Sequence, residues 1–378
     1  MHTQLSYWEY DRWLGPADVV VAGSGIVGLN AAIRLRALRP HWRVVVAERG
    51  ALPSGASTKN AGFACFGSIT ELADDLSHMP EDELMALAER RLRGLHLLRS
   101  RLGDAAIDYE PLGGYELFET AESHAQYAPF LERFNTLFRP VTGLAQTYIN
   151  ANSEIAGFGL GGVTHLIKNV AEGQINTGRM MEALIAKARA AGVHIVTGLH
   201  ITRFTETSHG LLLHTENGYD IQTQQLVVCT NGFATQLLPE LEVNPARAQV
   251  LITEPIENLR IKGSFHYDRG YYYFRNVGNR VLFGGGRNMD FTAENTTAHS
   301  LTPLIQNRLD QLLRDVILPG TPHKVAMRWA GTMGIGGQKK PIVKQISPRV
   351  ACAVRMGGMG VALGSLVGDE VAELVVNV

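Results

Sequence analysis

The chain has 378 residues, 45% of them hydrophobic, and 35 basic against 36 acidic side chains give a formal charge of -1. That size and apolar content exclude disorder and suit two domains, because single cores stop growing near ~250–300 residues, and the balanced charge offers no footprint for nucleic acid or an anionic membrane. Cys65, Cys229 and Cys352 lack the close pairing of metal or redox motifs, no apolar run reaches the ~18 residues of a membrane helix, and the N-terminus lacks the basic start and apolar stretch of a secretory leader, so a cytoplasmic location is expected.

The aromatic opening around Tyr7, Trp8 and Trp13 is expected to form an arm that packs on the body of the protein. Residues 18–22 are a short β-branched run of the kind that fills a central parallel strand, and Gly23-Ser24-Gly25-Ile26-Val27-Gly28 follows at once, with residues 29–38 at helical spacing behind it. In that order each glycine has a physical role. Gly23 makes the tight turn, Gly25 lets the backbone, with Ile26 next to it, approach a pyrophosphate, and Gly28 lets helix and strand pack closely. The positive end of the helix then faces the phosphates. A second strand, residues 44–47, ends in Glu48, about 20 residues past the last glycine, where an acid can accept hydrogen bonds from a ribose diol.

Residues 49–63 decide between a nicotinamide and a flavin. Ser57 and Thr58 offer hydroxyls and, if a helix begins there, backbone N–H groups to a pyrophosphate, while Gly62 allows a flat ring to lie against the main chain. A capped loop with Ser57 as N-cap is the alternative, disfavoured by the strand, turn and strand in front of it. Glu48 with Arg49, then Gly55-Ala56-Ser57-Thr58 and Asn60-Ala61-Gly62-Phe63, resembles the second FAD signature of the D-amino acid oxidase superfamily, which includes glycine oxidase and sarcosine oxidase. The resemblance extends to the closing helix. It implies an α/β fold, a Rossmann-type, discontinuous FAD-binding domain with a second α+β antiparallel-sheet substrate domain. The expected boundaries are 17–80, 150–235 and 325–378 for the first, 81–149 and 236–324 for the second.

Farther along, residues 81–101 read as a charged amphipathic helix whose arginines form a solvated face, and residues 109–119 as strand, turn and strand. Residues 180–191 form a helix ending at Gly192, and residues 194–204 a strand in which Ile201, by resemblance, contacts the adenine. A buried strand, residues 225–229, closes on Thr230-Asn231-Gly232, similar to the family's turn at the phosphate end of the sheet. Longer alternating strands follow at 247–254, 270–276 and 280–285, with a helix over 302–316. In Tyr271-Tyr272-Tyr273-Phe274, alternation puts Tyr271 and Tyr273 on one side. Tyr271 matches the tyrosine that lines the substrate pocket in glycine oxidase.

The return segment Arg328-Trp329-Ala330-Gly331 and the later Lys340-Pro341 resemble the family's corresponding stretches, and Gly358, Met359, Gly360 and Val361 match the turn whose main chain meets the flavin's pyrimidine end. N–H groups there would stabilise negative charge developing on the ring. Two departures concern the substrate. Met333 and Gly358 stand where glycine oxidase has arginines, and Ala362 where sarcosine oxidase has a lysine. A thioether cannot reproduce charge-assisted bonds to a carboxylate. Lys59, Arg328 and Arg355 are the candidate replacements, and Tyr271, Tyr273 and Met333 the expected substrate pocket. No counterpart of the flavin-linking cysteine is present, so non-covalent FAD is expected.

The implied chemistry is hydride transfer from the carbon bearing the amine of a small amine or amino acid to FAD, with oxygen or another acceptor completing the cycle, no base required and no metal. The alternatives are a flavin dehydrogenase of a 2-hydroxy acid, or a flavoprotein acting on a macromolecular partner.

Overall fold

The computed structural model describes residues 5–377. Met1–Gln4, the start of the N-terminal stretch read above, and Val378, the last residue of the expected cofactor domain, lie outside the described residues. Ser6 caps a single helical turn, and Arg43 ties the arm to the body by donating to the carbonyls of Asp11 and Arg12 at 2.8 and 3.0 Å. The arm is attached through its backbone. Its rings do not pack as expected: Tyr7, Trp8 and Trp13 are 68%, 70% and 51% exposed.

The first layer opens with β1 (Ala17–Ala22), α1 (Ile26–Leu38) and β2 (Val44–Glu48). Val19, Val20 and Val21 are fully buried, each contributing ~1.5–3 kcal/mol against exposure. A short helix α2 (Ala56–Lys59) begins one residue ahead of Ser57, capped by Gly55, so Ser57 is not the N-cap. Next come α3 (Ile69–Asp75) and α4 (Glu81–Leu102). Arg91 on α4 is only 2% exposed: it donates to the Phe66 carbonyl at 3.0 Å and faces Glu71 at 3.3 Å. The expected solvated arginine face is thus broken at Arg91, because α4 is covered on that side.

The segment read as strand, turn and strand yields one strand, β3 (Gly114–Phe118). β4 (Tyr148–Asn150), β5 (His165–Asn169) and α5 (Thr177–Ala190) follow. The expected strand over 194–204 is two, β6 (His194–Thr197) and β7 (Ile201–Thr207), interrupted where Gly198 takes φ +70°. β8 (Gly210–Thr215) and β9 (Asp220–Val228) complete the first half.

The second half contains β10 (Asn244–Thr253), β11 (Ser264–Tyr267), β12 (Tyr272–Val277), β13 (Arg280–Gly285), α6 (Pro303–Leu312), β14 (Val325–Ile335), β15 (Ile342–Ser347), β16 (Val350–Val354) and α7 (Gly360–Val376).

Two large sheets result. The first runs β15-β16-β9-β1-β2-β6, parallel except at β15, with β8 and β7 attached beside β9. The second runs β14-β10-β13-β12-β11-β3-β5-β4, antiparallel except between β11 and β3. This is the expected α/β architecture of a Rossmann-type layer with a second antiparallel sheet, and the cofactor layer is discontinuous in sequence.

Sheet membership departs from the expected boundaries. β5 and β14, expected with the first domain, belong to the second sheet: β14 pairs with β10 from Asn244↔Ile335 to Thr253↔Val325. α4, expected with the substrate domain, packs against α7 of the first layer, Gly94 lying on the Ala362 carbonyl. Hydrogen-bond pairing across a sheet is a long-range property that local composition does not encode.

One face of the second sheet buries Phe265, Phe274 and Phe283 under Ile305, Leu309 and Leu312 of α6. The opposite face, with Val250, Leu282 and Tyr273, looks towards the first layer.

Candidate cofactor and substrate site

The cavity between the two layers has a volume of about 570 Å³ and opens at the carboxyl ends of β1, β2, β9 and β16. In a doubly wound sheet this crevice is where ligands bind, because strand ends and helix N-termini converge there. Gly23, at φ +104°, turns the chain from β1, and its N–H donates to the Ala47 carbonyl at 2.8 Å. Gly25 is the N-cap of α1 and offers no side chain to it; the Ile26 N–H is met instead by Ser57 Oγ at 2.9 Å. Gly28 does not line the cavity. It lets α1 lie on β1: a Cβ there would stand 2.0 Å from the Gly23 carbonyl oxygen.

Glu48, 6% exposed, accepts at Oε2 from the Ser24 N–H (3.2 Å) and hydroxyl (2.6 Å), and at Oε1 from the Gly50 N–H (3.0 Å). A carboxylate has about four acceptor positions, and the Ser54 hydroxyl at 3.5 Å is the fourth and longest of its donors, the one that a ligand in the cavity would most readily displace. Arg49 stacks over the Phe233 ring at 3.7 Å. Thr58 points away from the cavity, donating to the Pro53 carbonyl at 2.7 Å. Asn60 organises the turn, its Oδ1 accepting from the Gly62 N–H at 2.8 Å. Ala61, Gly62 and Phe63 continue the wall, and the Phe63 ring meets His266 and Tyr273 edge-on at 5.2 and 5.8 Å.

Ile201 lines the cavity beside Leu199. Thr230 does so too, and its Oγ1 is buried with no hydrogen-bond partner among the described residues, as is Thr332 Oγ1. Asn231, at φ +49°, is a clamp rather than an open donor: its Oδ1 accepts from the Arg355 and Met356 N–H groups at 3.0 and 3.2 Å. Gly232 lies behind, packed on the Met333 carbonyl. Gly358, Met359, Gly360 and Val361 close this end, where α7 starts.

These residues fit a dinucleotide cofactor. A Cβ at Gly25 would occupy the approach to α1, 2.8 Å from Ser57 Oγ, and Thr230 and Thr332, whose buried hydroxyls have no partner among the described residues, line the cavity from opposite layers. The N-terminus of α1 provides the positive dipole end that a pyrophosphate needs.

Tyr271, Tyr273 and Met333 all line the part of the cavity next to the second sheet. Tyr271 stands just ahead of β12, against Phe291 (6.0 Å between centroids), so it does not strictly share the strand face of Tyr273. Burial raises the Tyr273 hydroxyl to about 12, keeping it a neutral donor. Met333 Sδ is 3.6 Å from the position of a Cβ on Gly358, so the thioether occupies the space beside the C-terminal turn.

Of the three candidate cations, Lys59 lines the cavity, whereas Arg328 is engaged by Gln306 and Asp310 at 2.6 Å each and Arg355 by the Lys340 and Glu242 carbonyls. The structure adds wall residues that the sequence reading omitted: Glu71, His266, Arg287 and Lys339. Burial works against the charge of Glu71, but Arg91 and Lys339 outweigh it and hold the carboxyl below its ordinary range. Burial pushes His266 down to about 4 against the opposing pull of Glu71, and its Nε2 has no partner among the described residues. Behind this wall Glu172 accepts from the Phe66 and Gly67 N–H groups at 2.9 and 3.1 Å while burial raises it to about 8. Only β11 could have betrayed His266 in the sequence, through the alternation of Phe265 and Tyr267 around it.

Residues 18–374 match the family described as FAD dependent oxidoreductase. A probable oxidoreductase, OrdL, of Rhizobium meliloti is 23% identical over 374 residues, covering 95% of this chain and 82% of that protein. Glycine oxidase of Geobacillus kaustophilus is 26% identical over 279 residues, 71% of this chain and 69% of that one. The fold is also that of the L-proline dehydrogenase from P. horikoshii, with a TM-score of 0.76 at 18% identity over 96% of this chain and 94% of the other.

Proposed function

We propose that this chain, which belongs to the family of FAD dependent oxidoreductases, removes a hydride from the carbon bearing the amine of a small amine or amino acid and releases an imine that water hydrolyses. FAD, when bound, supplies the hydride acceptor. Gly23, Gly25, Ile26, Glu48, Arg49, Ser57, Thr230 and the 358–361 turn would hold it, and Tyr271, Tyr273 and Met333 would seat the substrate. The observation that carries the choice of an amine over a 2-hydroxy acid is His266. Of the two described histidines that line the cavity it is the one beside Phe63, His200 lying next to Ile201, and burial lowers it to about 4, which makes it a weak base for an alcohol's proton near neutral pH. A neutral amine needs no such base, because its lone pair drives hydride departure.

Attachment of FAD is non-covalent in this reading. Cys65 and Cys229 line the cavity, and burial pushes both thiols up, so neither supplies a thiolate to attack the ring. The division into a cofactor-binding layer and a substrate-binding sheet belongs to the same proposal.

The test is anaerobic titration of the flavin-loaded protein with amines, N-methyl amino acids, D- and L-amino acids and 2-hydroxy acids, following the visible absorbance of the flavin. Bleaching by amine-bearing compounds supports the reading. Bleaching by 2-hydroxy acids alone would replace it.

A further inference from the structure

The wall of the second sheet contains a cation at a place where neither the glycine pattern nor the return segment led us to expect one. Arg287 follows β13 through Gly285 and Gly286, at φ +123° and +81°, which turn the chain off the sheet. A Cβ at Gly285 would lie 2.0 Å from the Tyr271 carbonyl oxygen, so the turn is fixed tightly against the start of β12. Arg287 lines the cavity, half-buried, with its guanidinium 4.8 Å from the centre of the Phe291 ring.

Among the described residues its side chain makes no hydrogen bond and no ion pair. Arg247, Arg328 and Arg355 are committed, to Glu294, to Asp310 and to backbone carbonyls, while of the other arginines on the cavity wall Arg49 lies over the Phe233 ring and Arg269, more than half exposed, stands 3.8 Å from Asp268. Glu294, whose charge Arg287 feels, is not available to it. Both Glu294 oxygens are taken by Arg247, at 2.7 and 2.8 Å, and Oε1 also accepts from Gln249 at 2.9 Å, in a pair only 1% and 4% exposed. The same pair anchors the segment after Arg287 to β10 at Glu294, and the guanidinium itself rests on the Phe291 ring.

The sheet register locates this cation relative to Met333. Ala330, Gln249 and Gly285 lie in one row across β14, β10 and β13. β13 and β14 run in the same direction, two strand spacings or roughly 10 Å apart, and Arg287 leaves the sheet beyond Gly285, where its guanidinium shares the Phe291 ring with Tyr271.

We infer that Arg287 docks a carboxylate of the substrate, from beside Tyr271 on the same sheet that carries Met333, and that the substrate is therefore an amine that also bears a carboxylate. A planar guanidinium with free donors and a ring beneath it suits bidentate recognition of that group. The identification of the amine rests on the function proposed above; the carboxylate site does not.

The experiment uses flavin-loaded protein titrated with acetate, propionate and benzoate and with their primary amides, followed by calorimetry and by perturbation of the flavin spectrum. Wild type is expected to prefer each carboxylate to its amide. Arg287→Gln should lose on the order of 10–100-fold in carboxylate affinity with amide affinity and flavin content unchanged, and Arg287→Lys should recover part of the loss. Equal wild-type affinity for acids and amides overturns the inference, and so does an Arg287→Gln protein with full flavin content and undiminished carboxylate binding. Should Arg287→Gln fail to fold, the wild-type comparison and Arg287→Lys still decide. Carboxylate binding through Arg287 without reduction by any amine would sink the proposed function and leave this site standing; reduction by amines with no preference for acids would do the reverse.

Discussion

Ser57 Oγ accepts the Ile26 N–H at 2.9 Å directly in front of Gly25, where a Cβ would stand 2.8 Å from the same oxygen. Two segments separated in sequence thus meet at the head of α1, and the space between them is only a glycine wide. Gly25→Val should fold, because a serine hydroxyl can rotate away, yet be purified colourless. Gly28→Val should instead destabilise the whole layer, since its Cβ would meet the Gly23 carbonyl at 2.0 Å. Flavin-to-protein ratio and thermal unfolding separate the two; a yellow Gly25→Val protein defeats the first expectation.

Arg247 and Glu294 are buried together, so breaking the pair leaves a lone charge in the interior. Arg247→Met should cost about 3–5 kcal/mol in chemical denaturation, and the double change Arg247→Met with Glu294→Leu should recover most of it. Additive single effects would mean that the two charges are solvated.

Glu172 provides a pH signature. Its folded carboxyl titrates at about 8 against 4.5 for the unfolded group, so the folded state retains a proton that the unfolded chain releases. The associated stability is complete below 4.5 and is lost as the pH rises towards 8. Glu116, raised by burial to about 7, acts in the same direction; His266, lowered to about 4, acts oppositely, costing stability as the pH falls below 6.5. Glu172→Gln should flatten the alkaline loss, by on the order of 1–3 kcal/mol in denaturant titrations. An unchanged slope would place the charged carboxylate in the fold.

Because burial keeps Cys65 and Cys229 as thiols, acid precipitation of the yellow protein should release all its flavin into the supernatant. Colour retained in the pellet would point to a covalent link.

Tyr271→Phe should change the rate of flavin reduction by substrate while sparing flavin content. Stopped-flow kinetics identical to wild type would reduce Tyr271 to a packing partner of Phe291.

The cofactor half was legible because its determinants are local. Gly23, Gly25 and Gly28 are spaced by the geometry of one turn and one helix, and β1 and β2 are continuous apolar runs buried on both faces. The substrate half was not. Arg287, His266, Glu71 and Lys339 come from four separate segments and meet only because two sheets face each other. Arg91 was misread for a related reason: on α4 it sits among other arginines, and nothing in the helix itself says which of them another element will cover.

The close packing of α1 on α7, with Gly364 against Ile26 and Gly368 against Asn30, has a consequence for synthesis. The ribosome makes α1 early and its covering helix α7 hundreds of residues later. β16, which supplies β9's second neighbour, is also late. During most of translation the emerging polypeptide therefore exposes an apolar helix and an unfinished parallel sheet. Cofactor capture must await emergence of the 356–376 segment, and chaperone occupancy in the interval is the expected price of building one pocket from distant stretches of the chain.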